Sequence, residues 1–441
     1  MLINIKNNFK KYNKDMINKK EENNLDKKGE GQNKDNETKK YIKVNKKKIN
    51  ESFSKRRNYT NKKEFENQIE ENEGKEKKYY KPKINNSIKE DQENSDIVMD
   101  INERKISGLI GLQNVGATCY MNAALQCLSN IVQLRIYFLN NKLDIKKSKN
   151  NSLSSSLLNV FEGLWENNKI TYFVPQQFKD TISKMNPLFG GIQANDTKDL
   201  ILFILETIHN ELNKTNQNTN VINNFNNKDF NEVFNNFCIY FKNNYNSIIS
   251  SLFYGMTNSM MTCCSCGVTT HNVQCFSILF FPLEEVRKFK GYPQNLVNII
   301  DCFDYNQKQD CMMGANQIYC NTCHQMANAF TQTQIIISPN ILIINLNRGK
   351  GLIYDIKISF EEYLEIKNYI YFNESPHFYE LIGVVTHLGT SDMGGHFISF
   401  CKNSENQKWY KFNDAIVTES SFQEVISFGV PYVLFYRYMI N

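Results

Sequence analysis

No stretch of this 441-residue sequence is apolar for long enough to span a bilayer. The longest apolar run, Gln334 to Leu346, is short and is interrupted by Pro339. An N-terminal secretory signal is also missing, because charges run through Met1 to Lys20 and no apolar h-region forms. Internal repeats are absent as well. These absences lead us to expect a soluble protein of the cytoplasm or nucleus that makes no use of a membrane. In such a compartment the 12 cysteines are expected to be reduced thiols, metal ligands or a nucleophile, not a disulfide frame.

Hydrophobic residues make up 41% of the chain, but residues 1–105 hold few of them, at no helical or strand period. A segment built from Lys, Asn, Glu, Asp and Gln cannot bury enough apolar surface to offset its ordering entropy, so residues 1–105 are expected to be a disordered extension. That segment carries 28 Lys+Arg against 20 Asp+Glu, or +8. The remainder has 24 against 26, or −2. The basic excess therefore belongs to the extension. Its two short basic runs, Asn45 to Lys48 and Lys55 to Arg57, are weak signals. A nearly neutral folded part does not suit nucleic acid, and none is expected as a partner.

From Ile106 onward the pattern becomes that of a folded domain. Leu125, Leu128, Ile131, Leu134 and Phe138 recur at steps of three and four, which predicts a helix over Leu125 to Leu139. A polar linker is expected over Lys147 to Ser156, then a helix from Leu157 to Trp165 and another opened by Pro175 and ended before Asn186-Pro187. Asp196 to Leu212 places Leu200, Ile201, Ile204, Leu205 and Ile208 on one stripe, predicting an amphipathic helix; the Asn-rich Asn213 to Asp229 is expected to be a loop. Beyond about Ser247 the apolar runs are short and of β type: Ser277 to Phe281, Ile335 to Ile337, Ile341 to Leu346, Tyr379 to His387, His396 to Lys402, Trp409 to Asn413 and Tyr432 to Tyr438. Helices first and strands afterwards predict an α+β architecture with segregated layers, not a doubly wound sheet.

Three constellations carry chemistry. In Gly111 to Leu128, glycines and small polar residues form a turn just ahead of an amphipathic helix that starts at or after Cys119. A cysteine there meets the positive end of the helix dipole and unpaired N–H groups, which are expected to lower its pKa and favour the thiolate. Cys127, further along the same helix, fits a buried structural role. In the second constellation, Gly394-Gly395-His396 and Trp409 to Asp414 alternate like the strands of a hairpin with a polar loop at Lys402 to Lys408. On paired strands His396 and Asn413 can face each other, giving a thiol a base and the imidazole an acceptor that fixes its tautomer. The third is Cys263-x-x-Cys266 with Cys320-x-x-Cys323. Two such pairs supply four thiolates suited to a closed tetrahedral zinc site that clips distant hairpins together. Cys264, His271, Cys275 and His324 lie close by as further candidate ligands, and reduced cysteines without metal are the alternative.

In these residues the sequence resembles the ubiquitin-specific proteases. Gly111 to Leu128 is similar to their cysteine box. Tyr379 to Thr418 is similar to their histidine box, and the closing Tyr432 to Tyr436 and the strand Ser338 to Arg348 also match. The resemblance runs from about Ile106 to Asn441 with the boxes in the same order. It implies a papain-like cysteine protease with a helical thumb (about 106–235), a β-rich palm (about 236–441) and zinc-tied β fingers inserted in it (about 250–335). It also implies cleavage after the C-terminal glycine of ubiquitin by a monomeric catalytic domain that takes one structural zinc and no catalytic cofactor. By the same resemblance Cys119 is the nucleophile, His396 the base, Asn413 the third catalytic residue, Asp414 its acidic neighbour and Asn114 the oxyanion donor. A catalytically silent ubiquitin-binding scaffold, or a protease for a ubiquitin-like modifier, are the alternative functions. Where the family has Gln-Asp-Ala-x-Glu-Phe, this chain has Asn195-Asp196-Thr197-Lys198-Asp199-Leu200. Asp196 and Asp199 keep the acids that the resemblance assigns to the basic tail of ubiquitin, with the second one methylene shorter.

Overall fold

A computed structural model of the chain describes residues 106–148, 152–167, 169–215, 229–293, 295–349, 354–372, 377–391 and 394–439. The extension 1–105 and most of the Asn-rich segment after Asn213 lie outside the described residues. The fold is α+β with mixed helix and sheet, as expected.

An eight-stranded sheet organises the molecule. Its main path runs Ile416–Ser420, Trp409–Asn413, Gly394–Lys402, Phe378–Ser391, Val430–Tyr438, Ile341–Asn347 and Ile278–Pro282, and Tyr363–Glu365 adds to the Phe378–Ser391 strand. Every neighbouring pair is antiparallel except Ile341–Asn347 with Ile278–Pro282. Apolar runs in the centre are continuous because both faces are covered. Ile341 and Ile343 pack into one core with the helices of the N-terminal half, whereas Leu342, Ile344 and Leu346 pack into a second core on the opposite face. Alternation along the strand divides them. Each such fully buried Ile or Leu contributes about 1.5–3 kcal/mol relative to exposure.

The helices depart from the sequence expectation in instructive ways. The predicted helix over Leu125 to Leu139 is two, Cys119–Ser129 and Val132–Asn140, separated at Asn130-Ile131, where the Asn130 side chain and N–H both return to the carbonyl of Gln126. The linker is shorter than expected: a helix at Lys142–Ser148 occupies its start, and the Ser152 hydroxyl caps a helix running Leu153–Trp165. The Pro175 helix spans Gln176–Met185. Helices at Phe230–Asn244, Ile248–Phe253, Leu283–Lys290, Ile299–Asn306 and Phe422–Ser427 went unpredicted. Leu283, Val286, Ile299 and Phe303 cover the second core, so the face left open by the strand-only reading is roofed by two short helices.

A second sheet has four strands in the order Thr269–Phe276, Gly255–Cys263, Ala329–Ile337 and Asp310–Met312. The hairpin Ile318–Cys320 and Gln325–Ala327 lies at its cysteine end. No helix among the described residues is long and apolar enough to cross a membrane.

Candidate active site

The turn before the helix Cys119–Ser129 is built from its own side chains. Gly116 and Ala117 take positive φ of 116° and 46°, and the Asn114 carboxamide oxygen accepts from Gly116 N (3.2 Å), Thr118 N (3.0 Å) and Thr118 Oγ1 (3.2 Å). The chain then enters the helix at Cys119. Every residue of Cys119–Ser129 is buried, so its start is held rigidly against the sheet and the neighbouring helices.

Cys119 itself is only 5% exposed. Burial pushes its thiol up from the ordinary value, the backbone at Phe397 pulls it back, the Asp414 carboxylate adds to the rise, and the amides of Tyr120 and Cys119 lower it. The net direction is upward, which corrects the expectation of a depressed pKa. Withdrawal from water disfavours the thiolate more than the helix start and the backbone donors favour it.

The backbone contact at Phe397 places the sulfur beside the residue that follows His396. His396 Nε2 lies 2.7 Å from Asn413 Oδ1. Because the strand ladder pairs Ser399 with Phe412, Asn413 is diagonal to His396 across the two strands. The side chains close the gap. Asn413 Oδ1 only accepts, so Nε2 carries a proton, which in the neutral tautomer leaves the lone pair at Nδ1. Asp414 Oδ2 is 3.8 Å from the same Nε2.

Asp414 occupies a turn at φ 49° and is held from both sides. Asn114 Nδ2 donates to Oδ2 at 3.0 Å and Asn122 Nδ2 donates to Oδ1 at 2.8 Å, while the Asp414 carbonyl accepts from Leu112 N at 2.8 Å. That last bond joins the two motifs backbone to backbone. It requires glycine at position 111, where an added Cβ would lie 2.3 Å from the Ala415 carbonyl oxygen. Asn114 is exposed, and its amide donates to Asp414. Sequence reasoning missed Asn122; its one available signal is its position three residues after Cys119, on nearly the same helix face.

Asp196 caps the helix Thr197–Leu212 by accepting from Lys198 N at 2.8 Å, and Thr197 Oγ1 reaches the Tyr120 carbonyl at 3.3 Å, tying this helix to that of Cys119. Asp196 Oδ2 also accepts from Tyr432 Oη at 2.5 Å, and the Tyr432 ring packs on Phe397, 5.6 Å between centroids. Lys198 Nζ bridges Asp196 at 2.9 Å and Asp199 at 3.1 Å, so the chain's own ammonium occupies the acid pair. Burial would lower the Lys198 pKa, but its hydrogen bonds to the two carboxylates outweigh that and hold it above the ordinary value.

The two Cys-x-x-Cys turns are alike. Gly267 N donates to the Cys263 carbonyl (2.9 Å) and His324 N to the Cys320 carbonyl (2.8 Å), with Gly267 and His324 at φ 71° and 53°. The sulfurs of Cys263, Cys266, Cys320 and Cys323 all lie within 4.8 Å of one another, with Cys263 to Cys323 at 3.8 Å and Cys266 to Cys320 at 3.7 Å. Four thiolates about 2.3 Å from a tetrahedral ion sit about 3.8 Å apart, so the group fits a metal. Backbone N–H groups at Cys323 and Thr322 bring Cys320 down to about 6. Cys264, His271, Cys275 and His324 are outside this group. Cys127 is buried, its Sγ 3.8 Å from that of Cys401, and burial holds its thiol well above the ordinary value.

The sequence profile of the family described as "Ubiquitin carboxyl-terminal hydrolase" matches residues 110–436. Human ubiquitin carboxyl-terminal hydrolase 2 is 29% identical over 348 residues, covering 76% of this chain, which spans only 56% of the human protein's length. The chicken protein of the same name is 29% identical over 346 residues, covering 75% of this chain and 94% of its own. Among solved structures, the SAGA DUB module of Ubp8 and its partner subunits bound to ubiquitin aldehyde aligns with a TM-score of 0.60 at 25% identity, over 77% of this chain and 71% of that one. A match across nearly the whole of the folded region, with both boxes in place, establishes that the chain belongs to the ubiquitin carboxyl-terminal hydrolase family.

Proposed function

We propose that this protein is a cysteine protease that hydrolyses the peptide or isopeptide bond after the C-terminal glycine of ubiquitin through a thioester on Cys119. The observation that carries the reading is the 2.7 Å bond from His396 Nε2 to Asn413 Oδ1, with Phe397, the next residue, against the buried sulfur. Relatives named as ubiquitin hydrolases and a structural neighbour bound to ubiquitin aldehyde support it.

In this mechanism His396 Nδ1 takes the Cys119 proton as the sulfur attacks the glycine carbonyl. A buried thiol of raised pKa is ionised by transfer to the imidazole, not by standing as a free thiolate. Asn413 keeps the ring in the productive tautomer. The oxyanion is stabilised by the second amide hydrogen of Asn114 and by N–H groups at the helix start, a contribution of about 2.7–4 kcal/mol for one such donor. The imidazolium then protonates the departing lysine amine, and water activated by His396 hydrolyses the thioester. Zinc on Cys263, Cys266, Cys320 and Cys323 would be structural, since four thiolates leave it no open position for chemistry. Asp196 and Asp199 receive the basic tail of ubiquitin in a monomeric catalytic domain divided into thumb, palm and fingers, working in the cytoplasm or nucleus.

Turnover of ubiquitin carrying a C-terminal amidocoumarin, in parallel with ubiquitin-like modifiers bearing the same group, tests the proposal. Release from ubiquitin that is abolished in Cys119→Ala supports it. Binding without release makes the protein a scaffold, and release only from another modifier reassigns the substrate.

A further inference from the structure

Asn122 has no part in the chemistry proposed above, yet it is placed as though it should. It lies one turn along the Cys119 helix, is 2% exposed, and directs its amide at the opposite motif. Its two Nδ2 hydrogens serve three acceptors: Asp414 Oδ1 at 2.8 Å, Leu112 O at 3.2 Å and Gln113 O at 3.3 Å. The carboxylate takes the shortest of these, as a charged acceptor should. The other end of the amide is different. Asn122 Oδ1 is buried with no hydrogen-bond partner, so the side chain brings an unmade bond into the core together with its useful donors. An apolar residue would pack there without that cost. What an apolar residue could not do is hold Asp414.

Asp414 in turn holds Asn114, whose Nδ2 donates to the second carboxylate oxygen at 3.0 Å. The order of contact is therefore Asn122, Asp414, Asn114 and then the cleft. His396 depends on this chain far less, because its short bond is to Asn413. We infer that Asn122 is a positioning residue for oxyanion stabilisation: it clamps the Asp414 carboxylate, which aims the Asn114 amide at the transition state. This inference rests on the proposed hydrolase reading. It separates two functions of the site, because losing Asn122 disturbs the oxyanion donor while leaving nucleophile and base in place.

The experiment compares Asn122→Ala with wild type on ubiquitin amidocoumarin, alongside alkylation of Cys119 by iodoacetamide, which needs thiolate formation but no oxyanion donor. The expected result is a kcat lower by about 10-fold or more, with KM and alkylation rate within about twofold of wild type. A double variant with Asp414→Ala should be no slower than Asp414→Ala alone by more than about twofold, since both act through one contact. Unchanged kcat, equal losses in turnover and alkylation, or additive effects in the double variant would each overturn the inference. Should the alanine variant fail to fold, Asn122→Ser is put through the same measurements under the same criteria. Wild-type turnover in the same assay reports separately on the hydrolase reading.

Discussion

Replacing Gly111 by alanine should disable the site without touching a reacting group. An added Cβ meets three backbone atoms of Ala415, the carbonyl oxygen at 2.3 Å, the carbonyl carbon at 2.4 Å and Cα at 2.6 Å, none of which can rotate away. A Cβ atom essentially never lies under 3.0 Å from such a neighbour, so the two segments must part by about 0.7 Å or more. The bond from Leu112 N to the Asp414 carbonyl is the first contact to stretch, and Asp414 carries Asn114 with it. Overpacking of this kind costs about 1–3 kcal/mol of stability. A misplacement of about 1 Å can cost about 10²-fold in rate. Gly111→Ala should therefore lose between about 30- and 100-fold in kcat on ubiquitin amidocoumarin, with a modest fall in Tm by circular dichroism and nearly unchanged ubiquitin affinity. A variant within about threefold of wild-type kcat at normal Tm would refute the claim that the two boxes are held together by this crossing.

In Lys198→Met the ammonium that occupies Asp196 and Asp199 is gone, so KM for ubiquitin should fall by about two- to fivefold, the worth of a partly exposed ion pair, with kcat unchanged; initial-rate kinetics at two salt concentrations check it. Because burial raises the Cys119 pKa, Cys119 alkylation in His396→Ala should rise only above pH 9.0, the ordinary thiol value, whereas wild type reacts at lower pH through the imidazole; iodoacetamide rates across pH decide this. Metal analysis should find one zinc per chain, lost in Cys320→Ser together with several degrees of Tm and kept in Cys264→Ser, whose sulfur lies outside the cluster.

Much of the fold was legible because its strands are apolar on both faces, as in Ile341 to Leu346, and because turns such as Cys263 to Cys266 have a geometry their residues dictate. The helices at Leu283–Lys290 and Ile299–Asn306 were not, since eight-residue segments show barely two apolar repeats amid strands. Phe230–Asn244 did carry a signal in Val233, Phe234, Phe237 and Phe241, masked by its asparagines. At the site, His396 and Asn413 were readable from the hairpin pattern, but their diagonal pairing depends on a register that the loop alone does not set. The Cys119 pKa was misjudged because local sequence reports the helix start, whereas burial comes from the strand Gly394–Lys402 and the other elements packed over it. Asn122 escaped notice for the same reason: an amide on a buried helix has meaning only once Asp414, distant in sequence, arrives opposite it.

Under the proposed function, Cys119 and His396 form one reactive centre for the C-terminus of ubiquitin. The most direct test is reaction with ubiquitin bearing a C-terminal electrophile, followed by peptide mass spectrometry. The expected result is a single adduct on Cys119 that is lost in Cys119→Ala and slowed strongly in His396→Ala. An adduct on another cysteine, or labelling that persists undiminished without the imidazole, would contradict it.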